Sequence, residues 1–216
     1  MPSARRHRYS RPRGVVEAEP LILVVTEGTK TEPQYFRALQ QHLHLAATQI
    51  VVRPADGTDP RSVVRSAMAL VRARSLGARR GEGVRYGETW VVFDSEHRLG
   101  SAELTAALDM AAAAKIHVAM SSPCFEFWLV LHFEYTTQYM VNYTAAESRL
   151  KMHIAAYDKS NLPMPVLLPL VPIAVENARR CIIAQDETNS EVPRTEVHNL
   201  VARMNEATRP HYRILE

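Results

Sequence analysis

The strongest constraint on the fold is an alternation of apolar runs and helical patterns between residues 20 and 133. The apolar runs lie at residues 21–26, 49–52, 89–93 and 116–120, and each has the length of a buried strand. Segments with apolar residues at helical spacing separate these runs. Four strands joined by helices predict an α/β fold, in which a parallel four-stranded sheet lies between helices.

Start signals mark the connecting helices. Pro33 can occupy a first helical turn, and Asp59 and Pro60 read as an N-cap followed by proline at the first helical position. A third helix is predicted over about residues 102–114. A fourth is predicted to begin near Pro123 and to continue to Phe133. Because its interior is almost wholly apolar, we expect this helix to be buried on most sides.

Residues 72–88 have a different composition from the segments around them. Glycines are interspersed there with arginines, which include Arg79 and Arg80. This composition predicts a mobile basic loop, and loops of such length are often functional.

Beyond Glu134 the alternation stops. Helical patterns cover residues 144–156 and 173–185, a proline-rich stretch lies between them, and a last amphipathic helix begins near Val197. We therefore divide the chain into three parts. They are a basic disordered tail (1–19), an α/β core (20–134) and a mainly helical C-terminal extension (135–216).

The net charge of +3 is unevenly distributed. Residues 1–14 hold five arginines and no acid, which is a charge of +5. Subtracting this charge from the total of +3 leaves −2 for the rest of the chain. The tail either attracts a phosphate backbone without sequence preference or is a solvated arm. No apolar run reaches the length of a membrane span. The cysteines Cys124 and Cys181 read as buried thiols, which predicts a cytoplasmic protein that does not enter membranes.

Two acidic motifs follow predicted strands. Glu27 closes the first apolar run, and Asp94 and Glu96 close the third. Carboxylates at the carboxyl ends of parallel strands face the crevice where open α/β sheets bind ligands. Asp94 and Glu96 are two residues apart, so in an extended segment both would project to one side. Three converging carboxylates would bind Mg²⁺ or Mn²⁺, because hard cations prefer oxygen ligands.

Each acid also has a simpler interpretation. Glu27 alone is typical of an acid near a helix N-terminus, and Asp94 with Glu96 can be a solvated pair. Their occurrence at the ends of two strands favours a shared metal site. Glu126, near the start of the apolar helix, is a fourth ligand, a support for a lysine or arginine, or an acid that complements the helix dipole.

Three segments resemble the RloB-like family, and the resemblance spans about residues 20–205. The segments are residues 24–36, which contain Glu27, residues 121–134, which contain Glu126, and residues 193–201. The middle segment is the longest and most specific of the three.

The resemblance implies a relationship to the Toprim domain, whose four-stranded parallel sheet lies between helices. The Toprim glutamate corresponds to Glu27, and the Toprim pair of aspartates corresponds to Asp94 and Glu96. Glu96 departs from that pattern by one methylene group. The resemblance also adds Glu126 to the expected catalytic residues.

Members of the family occur in restriction-linked or abortive-infection loci beside an ABC-type ATPase. The resemblance therefore implies a Mg²⁺-dependent (or Mn²⁺-dependent) nuclease, a hydrolase that serves as an effector of antiphage defence with such an ATPase as partner. Glu27, Asp94 and Glu96 would hold the metal. Four basic residues would neutralise the backbone of the nucleic acid. They are Lys30, Arg98, Arg79 and Arg80.

DNA and a structured RNA such as tRNA both suit a Toprim-like site as substrate. An RNA-cleaving toxin held inactive by its ATPase partner is one alternative. A non-catalytic nucleic-acid-binding or regulatory subunit with a degenerate Toprim fold is another, because Glu96 departs from the usual aspartate.

Overall fold

In the computed structural model, which describes residues 20–96, 98–188 and 193–215, five strands form one sheet. Their order across the sheet is β2-β1-β3-β4-β5, with β1 to β4 parallel and β5 antiparallel to β4. The strands are β1 (Ile22–Thr26), β2 (Ile50–Pro54), β3 (Glu88–Asp94), β4 (His117–Ser122) and β5 (Arg194–Thr195). The predicted α/β class is confirmed, but the prediction of four strands missed β5, since two residues carry no periodic pattern.

Helices cover both faces of this sheet. Four of them follow the parallel strands in turn, namely α1 (Thr31–His42), α2 (Pro60–Arg79), α3 (Ala102–Ala113) and α4 (Phe125–Val130). The remaining helices are α5 (Tyr143–Lys151), α6 (Met164–Leu167), α7 (Val171–Thr188) and α8 (Val197–Ala207). Short 3₁₀ turns lie at Leu168–Leu170 and Pro210–Tyr212.

Two hydrophobic clusters lie on the two faces of the sheet. Along β1, Ile22 and Val24 join the cluster that contains side chains of α1, α4, α7 and α8, whereas Leu23 and Val25 join the cluster formed with α2 and α3. All five residues of β1 are buried. Burial on both faces explains why this strand appears in the sequence as a continuous apolar run rather than an alternating one.

The prediction of a mobile loop over residues 72–88 is wrong for its first half. Helix α2 continues to Arg79, so only residues 80–87 connect it to β3. The alanines, the arginines and Leu76 in the helical part of this stretch are strong helix formers, and they outweigh the single helical glycine, Gly77. The predicted start of α2 is confirmed, since the Asp59 side chain accepts a hydrogen bond of 3.0 Å from the Ser62 N–H.

Helix α4 is also shorter than predicted. It ends at Val130 instead of Phe133, and the next residues form turns in which the His132 and Phe133 N–H groups donate to carbonyls three residues back. All six residues of α4 are buried. The apolar pattern continues past the helix because residues 131 and 132 are buried as well, and burial does not require helical geometry.

The C-terminal extension shares the core of the α/β region. Strand β5 pairs with β4, and Leu167, Val171 and Leu200 lie in the same hydrophobic cluster as Phe127 and Trp128 of α4. The boundary predicted at residue 134 therefore does not separate two hydrophobic cores. The predicted basic tail, residues 1–19, lies outside the described residues. Within the described part of the chain, no helix is long and apolar enough to cross a membrane.

Candidate functional site

The carboxyl ends of β1 and β3 open into a cavity of about 360 Å³. Four carboxylates line this cavity, which we call the acidic cavity, and they are Glu27, Glu32, Asp94 and Glu126. Lys30, Lys159 and Tyr143 line it as well. The cavity thus lies at the sheet edge where open α/β folds bind ligands.

Strand pairing brings Glu27 and Asp94 together. In the parallel register Thr26 lies opposite Val92, and the Glu27 N–H extends the pairing by donating to the Val92 carbonyl at 2.8 Å. The Glu27 side chain then reaches the neighbouring strand, where its Oε2 accepts a hydrogen bond of 2.9 Å from the Asp94 N–H. The structure therefore places these two predicted site residues in one cavity.

Glu32 belongs to the same cavity but was not predicted. Its Oε1 accepts a hydrogen bond of 3.0 Å from the Gly28 N–H, and a Cβ on Gly28 would lie only 2.1 Å from Glu32 Oε2. A larger residue at position 28 would therefore displace the Glu32 carboxylate from this position. The signal in the sequence was an acid in the first turn of α1, the helix that follows Glu27.

Glu126 is held in the acidic cavity by the C-terminal extension. It is 5% exposed, and its Oε1 accepts a hydrogen bond of 3.0 Å from the Tyr157 hydroxyl. The segment that carries Tyr157 also contacts α1, where Gln34 Nε2 donates to the Ser160 carbonyl at 3.0 Å. The sequence analysis did not identify Tyr157 and Lys159, because no local sequence pattern links them to Glu126, which lies more than 30 positions earlier in the chain.

Burial raises the pKa of all four carboxyl groups. Desolvation brings the pKa of Glu27 to about 7, although the hydrogen bond from the Asp94 N–H opposes this rise. Desolvation raises the pKa of Glu32 and Glu126, and it raises that of Asp94 well above its ordinary value, with further contributions from neighbouring carboxylates. Without a cation, the cluster therefore favours protonation over four negative charges.

Glu96 lies outside the acidic cavity. The strand ends at Asp94, and the next N–H groups donate to carbonyls near the end of β4, from Ser95 to Ser121 at 2.8 Å and from Glu96 to Pro123 at 3.0 Å. Glu96 then adopts a left-handed backbone with a φ of 45°. The prediction that Asp94 and Glu96 share an extended segment is wrong, because the chain leaves the strand after Asp94. Glu96 nevertheless lines, together with Asp94, an adjoining cavity of about 290 Å³ that shares Asp94 and Tyr143 with the acidic cavity.

The four predicted basic residues lie in different places. Lys30 lines the acidic cavity, where its Nζ donates to Ser160 Oγ at 3.3 Å. Arg98 forms an ion pair of 3.1 Å with Glu96. Arg79 and Arg80 lie where α2 leads into β3, at the sheet edge opposite Glu27, because β1 and β3 are parallel. These two arginines are therefore not brought to the acidic cavity.

The donor chemistry of the acidic cavity suits a hard divalent cation. All four carboxylates offer oxygen ligands, which Mg²⁺ and Mn²⁺ prefer, and their like charges are unfavourable together without a cation. As the side chains stand, however, no group of three or more His, Cys, Asp or Glu residues in the described part of the chain is arranged to hold a metal ion. Metal binding would therefore require these side chains to move closer together.

Comparison with known proteins identifies one family. The family described as RloB-like protein matches residues 22–204, which include β1, the acidic cavity and the C-terminal extension as far as most of α8. No curated protein and no solved structure shows significant similarity to the chain. The match covers most of the sequence and contains every carboxylate of the acidic cavity. The chain therefore belongs to the RloB-like family.

Proposed function

We propose that this protein is a divalent-metal-dependent nuclease and that the acidic cavity is its active site. The observation that carries the proposal is the cluster of Glu27, Glu32, Asp94 and Glu126 around one cavity at the carboxyl edge of a parallel sheet. Clusters of titratable groups with shifted pKa values in a cleft are typical of catalytic sites. Two lysines in the same cavity suit an anionic substrate.

Glu27 and Asp94 are the residues that we propose to hold the metal, with Glu126 rather than Glu96 as the third acid. A bound Mg²⁺ or Mn²⁺ supplies Lewis-acid polarisation of a phosphate oxygen. Alternatively, if Asp94 and Glu126 hold the metal without it, Glu27, whose pKa burial raises to about 7, would be suited to exchange a proton with water or with the leaving oxygen near neutral pH.

The two lysines and Tyr157 have separate roles in this proposal. Lys30 and Lys159 line the cavity and are exposed at its rim, where they would contact phosphate oxygens of the substrate. Tyr157 is a positioning residue, because its hydroxyl bonds to Glu126 and holds that carboxylate towards the cavity. The proposed active site therefore requires both the α/β core and the C-terminal extension.

The family resemblance extends the proposal to the biological role. A Toprim-like site would serve an effector of antiphage defence that acts with an ABC-type ATPase partner. The position of the acidic cavity at the ends of β1 and β3 supports a Toprim-like arrangement of Glu27 and Asp94. DNA and tRNA are both suitable substrates for such a site.

One observation favours a second candidate function. As the side chains stand, the described residues contain no assembled metal-binding group, and Glu96 forms an ion pair with Arg98 and does not line the acidic cavity. A non-catalytic nucleic-acid-binding or regulatory subunit would show this arrangement. It would bind nucleic acid without cutting it.

Incubation of the purified protein with supercoiled plasmid DNA and with total tRNA tests the proposal. With Mg²⁺ or Mn²⁺ present, we expect gel electrophoresis to show nicked or linear plasmid, or tRNA fragments, and EDTA should abolish the products. Cleavage of tRNA alone would support the RNA-cleaving effector. Binding of both substrates without cleavage in either metal would contradict the nuclease proposal and favour the non-catalytic subunit.

A further inference from the structure

A second cavity of about 530 Å³ adjoins the acidic cavity along α1. Thr29 and Lys30 line both cavities, so the two are continuous at the start of α1. From this junction the second cavity continues along the helix to Gln34, Arg37 and Gln41. We call this second cavity the basic groove.

The lining of the basic groove is cationic and polar. It presents an ammonium from Lys30, a guanidinium from Arg37, two side-chain amides and the Ser160 hydroxyl, and the described residues that line it include no carboxylate. Its charge is therefore opposite to that of the acidic cavity beside it. A groove of this kind suits a polyanion.

The spacing of the two cations suits an extended ligand. Lys30 is the N-cap of α1, and Arg37 lies about two helical turns, or roughly 10 Å, further along the helix, so the two cations line the groove at separate points along its length. Both residues are exposed. Their hydrogen bonds are to neutral oxygens, from Lys30 Nζ to Ser160 Oγ at 3.3 Å and from Arg37 Nη2 to the Val52 carbonyl at 3.4 Å. These contacts do not neutralise the positive charges.

One wall of the groove is fixed by Gln34. Its Nε2 donates to the Ser160 carbonyl, and its Oε1 accepts a hydrogen bond from the Leu162 N–H. Both ends of the amide thus hold the segment from the C-terminal extension against α1. The wall therefore has a defined position relative to the two cations.

We propose that the basic groove binds the phosphate backbone of the nucleic-acid strand that enters the acidic cavity. This inference rests on the proposed function. Whether charged or protonated, the four carboxyl groups offer a phosphate no attraction without a metal, so cations beside them favour the approach of a polyanion. A strand that lies along α1 would contact Arg37, pass Lys30 at the junction and present its next phosphate to the acidic cavity. Such backbone contacts position a substrate without reading its sequence.

Fluorescence anisotropy with labelled 15-nucleotide DNA and RNA strands tests this proposal, in EDTA so that no cleavage occurs. We expect Arg37→Gln to weaken binding of both strands roughly fivefold at low salt. Loss of one phosphate contact should also make the slope of log K against log salt shallower by about 0.7.

Arg72→Gln is the matched control. Arg72 is an exposed helical arginine, but α2 covers the opposite face of the sheet from α1, so the same change of charge occurs away from the groove. We expect less than a twofold change in affinity for this variant. Equal affinities and equal salt slopes for the Arg37→Gln and Arg72→Gln variants would overturn the proposed groove.

A cleavage assay on the same variants separates the groove from the proposed nuclease activity. If Arg37→Gln binds like wild type while Glu27→Gln abolishes cutting, the groove assignment fails and the nuclease proposal stands. If Arg37→Gln loses affinity although the wild type cuts neither strand, the groove stands and the nuclease proposal fails.

Discussion

Replacing Glu27 with glutamine is expected to slow nucleic-acid cleavage by about 10²- to 10⁴-fold, the range typical of lost general acid–base catalysis. Glutamine keeps the side-chain volume and an oxygen that can accept the hydrogen bond from the Asp94 N–H. The substitution therefore removes the charge and the proton transfer without removing the contact between β1 and β3. Single-turnover rates at saturating Mg²⁺ measure the effect, and circular dichroism checks the fold.

Glu196→Gln is the matched control for this experiment. Glu196 is also a half-buried glutamate whose pKa is raised by burial, but it does not line the acidic cavity. We expect its cleavage rate to remain within about twofold of wild type, whereas Asp94→Asn should behave like Glu27→Gln. A Glu27→Gln protein that cuts as fast as the Glu196→Gln protein would rule out Glu27 as a catalytic residue.

The thermal midpoint of the metal-free protein is expected to fall as the pH rises from about 6.5 to 8. Burial raises the pKa of Glu27 to about 7, and it also raises the pKa of Glu32, Asp94 and Glu126. A carboxyl group with a raised pKa in the folded state binds its proton more tightly there, so protonation favours folding. For Glu27 this contribution is complete below about pH 4.5 and is lost as the pH rises through about 7. Differential scanning calorimetry in EDTA measures the trend.

Surface acids contribute to the pH dependence of folding stability with the opposite sign and in a different pH range. Hydrogen bonding to Arg149 lowers the pKa of Glu134, and hydrogen bonding to Ser62 lowers that of Asp59. Their contributions are present above the ordinary carboxyl pKa and are lost as the pH falls through the lowered values. They therefore act on the acid side of the range. Burial lowers the pKa of His132 to about 4 and also lowers that of His198, so these histidines add stability as the pH rises towards their ordinary pKa of 6.5. Between about pH 6.5 and 8, neither the surface acids nor these histidines mask the loss.

Mn²⁺ is expected to reverse the loss of stability at pH 8. A ligand at 100 times its Kd stabilises the folded state by about 2.7 kcal/mol, which for a chain of this size corresponds to a midpoint shift of roughly 5–10 °C. At pH 5 the shift should be smaller, because protons compete for the same carboxylates. The Glu27→Gln/Asp94→Asn double variant should lose most of the stabilisation by Mn²⁺ at pH 8 and at pH 5. If Mn²⁺ does not change the thermal midpoint of the wild type at pH 8, this result would contradict the proposed metal site.

The sequence predicted the α/β class and the pairing of Glu27 with Asp94 for one physical reason. Strands buried on both faces appear as continuous apolar runs, which reveal where each strand ends. Residues that follow parallel strands meet at one edge of the sheet, so the ends of β1 and β3 were sufficient to place these two acids together.

Contacts beyond the local sequence account for most of what the prediction missed. Spacing alone could not show that the chain leaves the strand after Asp94 and that Glu96 lines the adjoining cavity instead of the acidic cavity. Tyr157 approaches Glu126 only through folding of the C-terminal extension. Arg80 was assigned to the site because of its charge, whereas its position depends on how far α2 continues before β3.

The most direct test of the central claim is a Mn²⁺ titration followed by electron paramagnetic resonance at pH 8. We predict that the wild type and the Glu196→Gln control bind Mn²⁺ at the acidic cavity and that Asp94→Asn lowers the affinity at least about tenfold. Absence of Mn²⁺ binding to the wild type, or equal binding by Asp94→Asn, would contradict the assignment of the acidic cavity as a metal-dependent active site.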